Sequence, residues 1–151
     1  MKNPALDALD RRILDRYRRD TRRTAESIGK EVGLSTAAVH RRLQRLRASG
    51  VIEAEVARVN PLALGLALTC IVAVDIDREG RADIERFAAR MQRCGNVQQC
   101  SYVTGEADFI LVVAVADMAA YEAFTREHLM SDPNVRSFTT HVVMKRVKID
   151  A

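Results

Sequence analysis

Long apolar runs are missing from this sequence. The longest, residues 62–74, is broken by Gly65 and Thr69 and falls well short of the roughly 20 apolar residues a spanning helix needs. No membrane helix is expected. Cysteine is scarce: Cys70, Cys94 and Cys100 form neither a C-x-x-C pair nor the even framework of a disulfide-stapled domain. The opening residues lack the apolar stretch of a secretory signal, so a reducing cytoplasm is the expected compartment. The three histidines, His40, His128 and His141, have no metal-ligand spacing with one another or with the cysteines, so neither a zinc site nor a cofactor is expected. Tryptophan is absent, aromatic residues make up 5%, and repeats and low-complexity segments are lacking. What remains is a chain of 151 residues that is 48% hydrophobic. That is ample for a buried core, and the length suits one ordinary domain or two small ones.

The net charge of +4 conceals an asymmetry. Residues 1–60 carry 14 Lys+Arg against 8 Asp+Glu, a balance of +6, whereas residues 61–151 carry 10 against 12, a balance of −2. A basic first half points to nucleic acid or another acidic surface as the partner of that half alone.

Hydrophobic spacing divides the chain in the same place. Leu6, Leu9, Ile13, Leu14 and Tyr17 recur at helical intervals, which predicts a helix over residues 6–19. Thr24 is a predicted N-cap for a short second helix to Val32, with Ala25, Ile28 and Val32 inward. Gly33 can end that helix in the left-handed conformation, Leu34 can plug the core and Ser35 can cap a third helix over residues 36–48. At 100° per residue, Val39, Leu43 and Leu46 share one face of the third helix, while Ala37, His40, Arg41 and Gln44 lie opposite with Arg45 beside them. Residues 51–59 roughly alternate and read as an extended stretch that ends at Asn60-Pro61. Beyond it, strands are expected over 68–76, 97–104, 109–115 and 135–147, and helices over 81–93 and 118–130. The order is βαββαβ, the split form that makes a four-stranded antiparallel sheet with both helices on one face.

Two helices joined by a tight glycine-containing turn, the second with a basic outer face, make a helix-turn-helix. Its second helix fits the major groove, where residues near its N-terminus reach base edges and arginines further along neutralise phosphates. A structural helical hairpin reproduces part of this pattern, but not the excess charge on the same 60 residues.

The residues Leu6-Asp7, Asp10, Ile13-Leu14, Asp20, Arg22, Val32-Gly33-Leu34-Ser35, Val39, Arg42, Leu46 and Gly50-Val51-Ile52 resemble the N-terminal domain of the Lrp/AsnC transcription regulators. The resemblance continues through Asn60-Pro61, Leu64-Gly65, Val103-Thr104-Gly105, Asp108, Asp117-Met118, Tyr121, Pro133, Val135 and Val142-Val143-Met144, nearly the whole chain in order. It implies an α+β protein: a winged helix-turn-helix domain in residues 1–51, an extended linker strand in 52–66, and a ferredoxin-like (RAM/ACT-like) βαββαβ domain in 67–151. It further implies binding to a pseudo-palindromic operator in double-stranded DNA, a small effector of the amino-acid class, and homodimers that assemble further, to octamers in many members.

On the recognition helix the DNA-facing candidates are Ser35, Thr36, Ala37, His40, Arg41, Gln44 and Arg45. Gln44 suits adenine and Arg41 suits guanine. Arg42 lies nearer the apolar side, where a structural salt bridge and a phosphate contact are equally open. Arg22 and Arg23, just before the second helix, are phosphate candidates or solvated charges. The Val103-Thr-Gly-Glu-Ala-Asp108 segment matches the turn around which the family builds its effector site. Tyr102, Thr104, Gly105, Glu106 and Asp108 are therefore effector candidates, with turn amides for a carboxylate and Asp108 for an ammonium. His128 and Met130 are candidates to reach such a pocket from a neighbouring subunit.

Departures from the family pattern are Glu106 for a frequent Asp, Ala54-Glu55 for a frequent Gly-Tyr, Arg23 for an apolar residue and Gly29 for a common Ala. The last costs up to about 1 kcal/mol of helix propensity. No enzyme is expected. The alternatives are an enzyme of similar layout, such as a sirohaem decarboxylase subunit, which the scattered histidines disfavour, and an amino-acid sensor that does not touch DNA, which Arg41 and Arg45 disfavour.

Overall fold

Local capping chemistry sets the first three helices. In the computed structural model, which describes residues 5–148, α1 spans Ala8–Tyr17, shorter at both ends than the periodicity predicts. Asp7 accepts from the Asp10 amide at 2.7 Å and the Asp10 carboxylate accepts from the Asp7 amide at 3.2 Å. This reciprocal box pairs two of the orphan donors that open a helix and so fixes the first turn. α2, Ala25–Val32, is capped by Thr24, which accepts from the Ser27 amide at 3.1 Å, and ends on Gly33. α3, Thr36–Ala48, is capped by Ser35, which accepts from the Ala38 amide at 3.2 Å.

Gly29 sits where α2 passes closest to the turn. Its carbonyl accepts from the amides of both Gly33 and Leu34, and a β-carbon built on it would lie 2.5 Å from the Leu34 carbonyl oxygen. The glycine therefore has a steric reason that helix propensity alone does not reveal. Ile13, Tyr17, Ala25, Ile28, Val32, Val39 and Leu43 form the core of these helices, with Leu34 and Ile52 packed against it.

The chain divides into two compact units, the first ending at Arg58 and the second running from Val59 to Lys148. Within the expected linker strand, residues 53–60 are exposed, carry no regular secondary structure and have no ladder partner among the described residues. An alternating sequence becomes a sheet only with a neighbouring strand to take its hydrogen bonds. The later part of the expected linker strand is a 3-10 turn, Pro61–Leu64, capped by Asn60, whose side chain accepts from the Leu62 amide at 3.1 Å.

The second unit is built from β1 (Leu68–Ile76), α4 (Arg81–Arg93), β2 (Val97–Tyr102), β3 (Phe109–Val115), α5 (Met118–Thr125) and β4 (Val135–Val142). α5 continues into a π-helical turn, Arg126–Met130, in place of a uniform helix. The strands lie in the order β2-β3-β1-β4 and all pairings are antiparallel. Alternate residues Cys70, Val72, Val74 and Ile76 of β1 and Phe109, Leu111, Val113 and Val115 of β3 are buried with Phe87 and Met91 of α4 and Tyr121 and Phe124 of α5. One sheet face thus carries the helices. The other presents Ile71, Ala73, Ile110 and Val112, only partly buried or exposed. β2 and β4 end sooner than their apolar patterns predict; residues 143–148 leave the ladder after the Val143 amide donates to the Thr69 carbonyl.

The pairing of β1 with β4 shifts register between Asp75 and Ile76. Asn134 then clamps the chain beyond: its side chain accepts from the Arg78 amide at 3.0 Å and donates to the Arg78 carbonyl at 3.2 Å, and its carbonyl accepts from the Asp77 amide.

Candidate nucleic-acid interface and effector turn

Burial of Val39, Leu43 and Leu46 fixes the roll of α3. Ser35, Thr36, Ala37, His40, Arg41, Gln44 and Arg45 consequently face solvent. The first turn of α3 holds no acidic residue, so its partial positive charge is open to an anion. Among the described residues, no hydrogen bond or ion pair engages the side chains of His40, Arg41 or Gln44, whereas the Ser35 hydroxyl is committed to its cap.

Arg42 and Arg45 are placed differently. The Arg42 guanidinium donates to Asp7 at 2.6 Å and to Asp10 at 2.7 Å, and Arg45 reaches the second oxygen of Asp10. Asp10 is fully buried, so the helical box of α1 also anchors the recognition helix. The Asp10 amide, and then Arg42, hold the Asp7 carboxyl below the ordinary carboxylate range. Of the two readings open for Arg42, the geometry supplies the salt bridge. Arg45 is 56% exposed at its side chain and presents part of its guanidinium to solvent.

Arg22 pairs with Asp20 at 3.1 Å while its side chain stays 90% exposed. Arg23 donates to Ser27 at 2.9 Å and to Glu31. Glu31 also takes Arg16, and Arg23 chiefly holds its carboxyl below the usual range. Further pairs, Arg18 and Arg19 with Asp15 and Lys30 with Glu26, occupy other cations of this unit. The roles of Asp10 and Glu31 were not evident from pattern; the one local sign was the Asp-x-x-Asp spacing at 7–10.

In the second unit, Tyr102, Thr104, Gly105, Glu106 and Asp108 come together at the β2–β3 connection. Gly105 has φ 135°, a conformation closed to most other residues. Thr104, Gly105 and Glu106 are exposed, and the exposed Tyr102 ring lies 5.3 Å from the Phe109 ring. Asp108 is braced from three sides: its Oδ2 accepts from the Ile76 amide at 2.8 Å, its own amide donates to the Val74 carbonyl, and its carbonyl accepts from the Val103 amide. The ladder between β1 and β3 ends at the Val74–Phe109 pair, which leaves the next inward amide, that of Ile76, in need of an acceptor, and Asp108 supplies it. Asp108→Ala is therefore expected to cost about 1–2 kcal/mol of stability without any ligand, the penalty of an unpaired amide, and Asp108→Asn less. Equal urea midpoints for wild type and Asp108→Ala would show that the brace contributes nothing.

His128 and Met130 lie on the π-helical turn. The His128 ring packs 5.2 Å from Phe124, and its carbonyl accepts from Arg90 at 2.7 Å. Arg90 also pairs with the buried Asp132 at 2.7 Å. Met130 is exposed. Among the described residues no hydrogen bond or ring contact joins either residue to the Gly105 turn. A groove of about 390 Å³ lies elsewhere, between α4 and β2, beside Met91 and Cys100.

Among the described residues no group of three His, Cys, Asp or Glu is arranged to hold a metal ion, and no helix is long and apolar enough to cross a membrane. The cysteines are free, and burial raises the Cys70 and Cys100 thiols.

Comparison with known proteins matches residues 6–47 to the AsnC-type helix-turn-helix domain and residues 69–151 to the Lrp/AsnC ligand binding domain. An uncharacterized HTH-type transcriptional regulator of Sinorhizobium fredii is 46% identical over 144 residues, 95% of this chain and 85% of the relative. The leucine-responsive regulatory protein of Salmonella typhimurium is 35% identical over 143 residues, 95% of this chain and 87% of the relative. Among solved structures, a transcriptional regulator of Neisseria meningitidis in complex with L-methionine superposes with a TM-score of 0.89 at 29% identity, covering 97% of this chain and 94% of the other.

Proposed function

The chain belongs to the Lrp/AsnC family of helix-turn-helix transcriptional regulators, and from that premise we propose that it binds a pseudo-palindromic operator as a homodimer or larger assembly whose DNA affinity responds to an amino acid. The observation that carries the DNA reading is the outer face of α3. Among the described residues, Arg41, His40 and Gln44 have no side-chain partner, and they are exposed beside a helix N-terminus whose first turn has no acidic residue. Arg41 is the base-reading residue in this account, with Gln44 and His40 beside it and Arg22 on the phosphate backbone. Arg42 orients the helix, and Arg45 divides its guanidinium between Asp10 and solvent.

The effector reading rests on the Gly105 turn and on the L-methionine complex of the Neisseria regulator. A free turn at the sheet end, with an aromatic ring at Tyr102 and carboxylates at Glu106 and Asp108, suits the ammonium and carboxylate of an amino acid. Self-association rests on the helix-free sheet face, where Ile71 is 39% exposed among Ala73, Ile110 and Val112. A second copy covering this face would remove apolar surface from water at about 25 cal/mol per Å². The cytoplasm is where such a protein meets its DNA.

The test begins with a duplex enriched from a random pool by the full-length protein. Arg41→Ala is expected to cut the preference for that duplex over its scrambled counterpart by about 1–3 kcal/mol, with the fold intact by circular dichroism. No enrichment of any sequence at physiological salt would defeat the DNA reading. For the effector, thermal shifts with the twenty amino acids should identify at least one that stabilises the wild type and not Asp108→Asn, which retains the brace to Ile76. The absence of any shift would remove the effector and leave DNA binding standing.

A further inference from the structure

Between the third helix and the 3-10 turn the chain makes a small number of attachments, all but one of them early. The amides of Val51 and Ile52 both donate to the Leu46 carbonyl, at 3.0 and 3.1 Å, and Ile52 packs on the helical core. Three residues on, Glu55 is caught from two helices at once. The Tyr17 hydroxyl, on the last residue of α1, donates to Glu55 Oε1 at 2.7 Å. Arg47, in the last turn of α3, donates through Nε to the same oxygen at 2.9 Å and through Nη2 to the Tyr17 oxygen at 2.8 Å. The Arg47 guanidinium lies 5.5 Å over the Tyr17 ring, and that ring is buried. The Tyr17 hydroxyl and then Arg47 hold the Glu55 carboxyl below its ordinary range, so the ring of three groups stays closed at neutral pH. The segment runs beside a groove of about 530 Å³ lined by Leu14, Tyr17, Ile52 and Val56. Beyond Glu55, residues 56–59 are exposed, and no hydrogen bond among the described residues engages them before Asn60 caps the next turn.

We infer that Glu55 is a positioning residue: the Glu55–Tyr17–Arg47 clasp sets the direction in which the chain leaves the DNA-binding unit, and so selects the spacing between the two half-sites of an operator. The inference rests on the reading of the protein as a DNA-binding dimer. With the clasp closed, four residues (56–59) are free. With it open, seven (53–59) are free. The root-mean-square span of a flexible chain grows as about 5–6 Å times the square root of its length. The span therefore rises from about 11 Å to about 15 Å, a difference close to the 3.4 Å rise of one base pair. Loss of the clasp gives each DNA-binding unit roughly one base pair of additional play without altering its recognition helix. Glu55 stands where the Lrp/AsnC pattern often has Tyr, so the clasp is a property of this chain's own residues.

The experiment uses the full chain and the duplex enriched by the wild type. Affinity is measured for that duplex, for versions with one base pair inserted or deleted between the half-sites, and for a single half-site. The wild type is expected to lose tenfold or more on insertion or deletion. Glu55→Ala should shrink that penalty below threefold while keeping single-half-site affinity within twofold of wild type. Tyr17→Phe, which removes only the hydroxyl, should move in the same direction with its ring packing intact. Glu55→Gln keeps a carbonyl acceptor for both donors and should restore most of the spacing preference. A spacing penalty unchanged in both Glu55→Ala and Tyr17→Phe would overturn the inference. So would a loss of single-half-site affinity parallel to the loss on the full duplex, which would mark Glu55 as merely structural. If the wild type enriches no duplex at all, the DNA reading itself fails, an outcome distinct from either.

Discussion

Asp10→Ala is expected to destabilise the N-terminal unit by about 3 kcal/mol and to abolish DNA binding with it. Asp10 has no solvent exposure, yet its carboxylate receives Arg42, Arg45 and the Asp7 amide. Breaking a buried pair by deleting one partner typically costs about 3–5 kcal/mol, because the remaining charge is left uncompensated. Here the cost sits at the lower end. Arg45 is half exposed and can return to water, and Arg42 keeps Asp7. Asp10→Asn offers little relief, since its amide group would bring donors to a site already filled by guanidinium donors. A three-helix core of this size has only a few kcal/mol to lose. Hydrogen exchange reads the outcome directly: amides of α1, α2 and α3 should lose protection while those of β1 and β3 keep it. Unchanged protection in α3 would show that the apolar contacts of Val39, Leu43 and Leu46 hold the recognition helix unaided.

Gly29→Val should be nearly as damaging, for a steric reason. Helix propensity favours almost any replacement of a mid-helix glycine, by up to about 1 kcal/mol for alanine and less for a β-branched residue. Against that stands the added β-carbon, 2.5 Å from the Leu34 carbonyl oxygen and 3.6 Å from Val39 Cγ2. The near neighbour is backbone and belongs to the turn that launches α3. Overpacking of this kind costs about 1–3 kcal/mol, and valine's branches add to it, so a net loss of about 2 kcal/mol is expected. The carbonyl can retreat only by moving Leu34 and Ser35, which displaces the N-cap of the recognition helix. Both the thermal midpoint and the affinity for the enriched duplex should fall. Gly29→Ala, with a single methyl, should fall less. A rise in midpoint for either variant would mean that the turn has slack the geometry does not suggest.

Short-range signals accounted for much of what was legible in the amino-acid order. Thr24, Gly33 and Ser35 announce their own caps, and the apolar periods of residues 68–76 and 109–115 mark the two central strands without reference to the rest of the chain. Elements that depend on a distant partner were misjudged or missed. Residues 51–59 alternate like a strand, but no neighbour among the described residues completes a sheet. The first helix begins later than its leucines suggest, because an Asp-x-x-Asp box is a less familiar start than Ser or Thr followed by Glu. Asp108 carries an obvious charge, but its brace to Ile76 exists only because the β1–β3 ladder stops at Val74 and Phe109, one amide short of the end of β1. The outward face of α3 followed from a 100° rotation; the engagement of Arg42 by Asp7 and Asp10 required a contact across more than thirty positions.

The ion pairs within the first unit bear on how such a protein finds its target. Asp15, Asp20, Glu26, Glu31 and Asp10 each hold one or more cations, whereas among the described residues the exposed Arg11, Arg41 and Arg58 have no ion pair, so much of the basic charge of this unit is already matched within it. Indiscriminate attachment to a genome draws on the whole basic surface, whereas discrimination draws on the few groups that reach base edges. A unit whose cations are largely engaged by its own carboxylates is expected to hold random sequence less tightly than one in which every cation is free, a difference that the salt dependence of binding to a scrambled duplex would read.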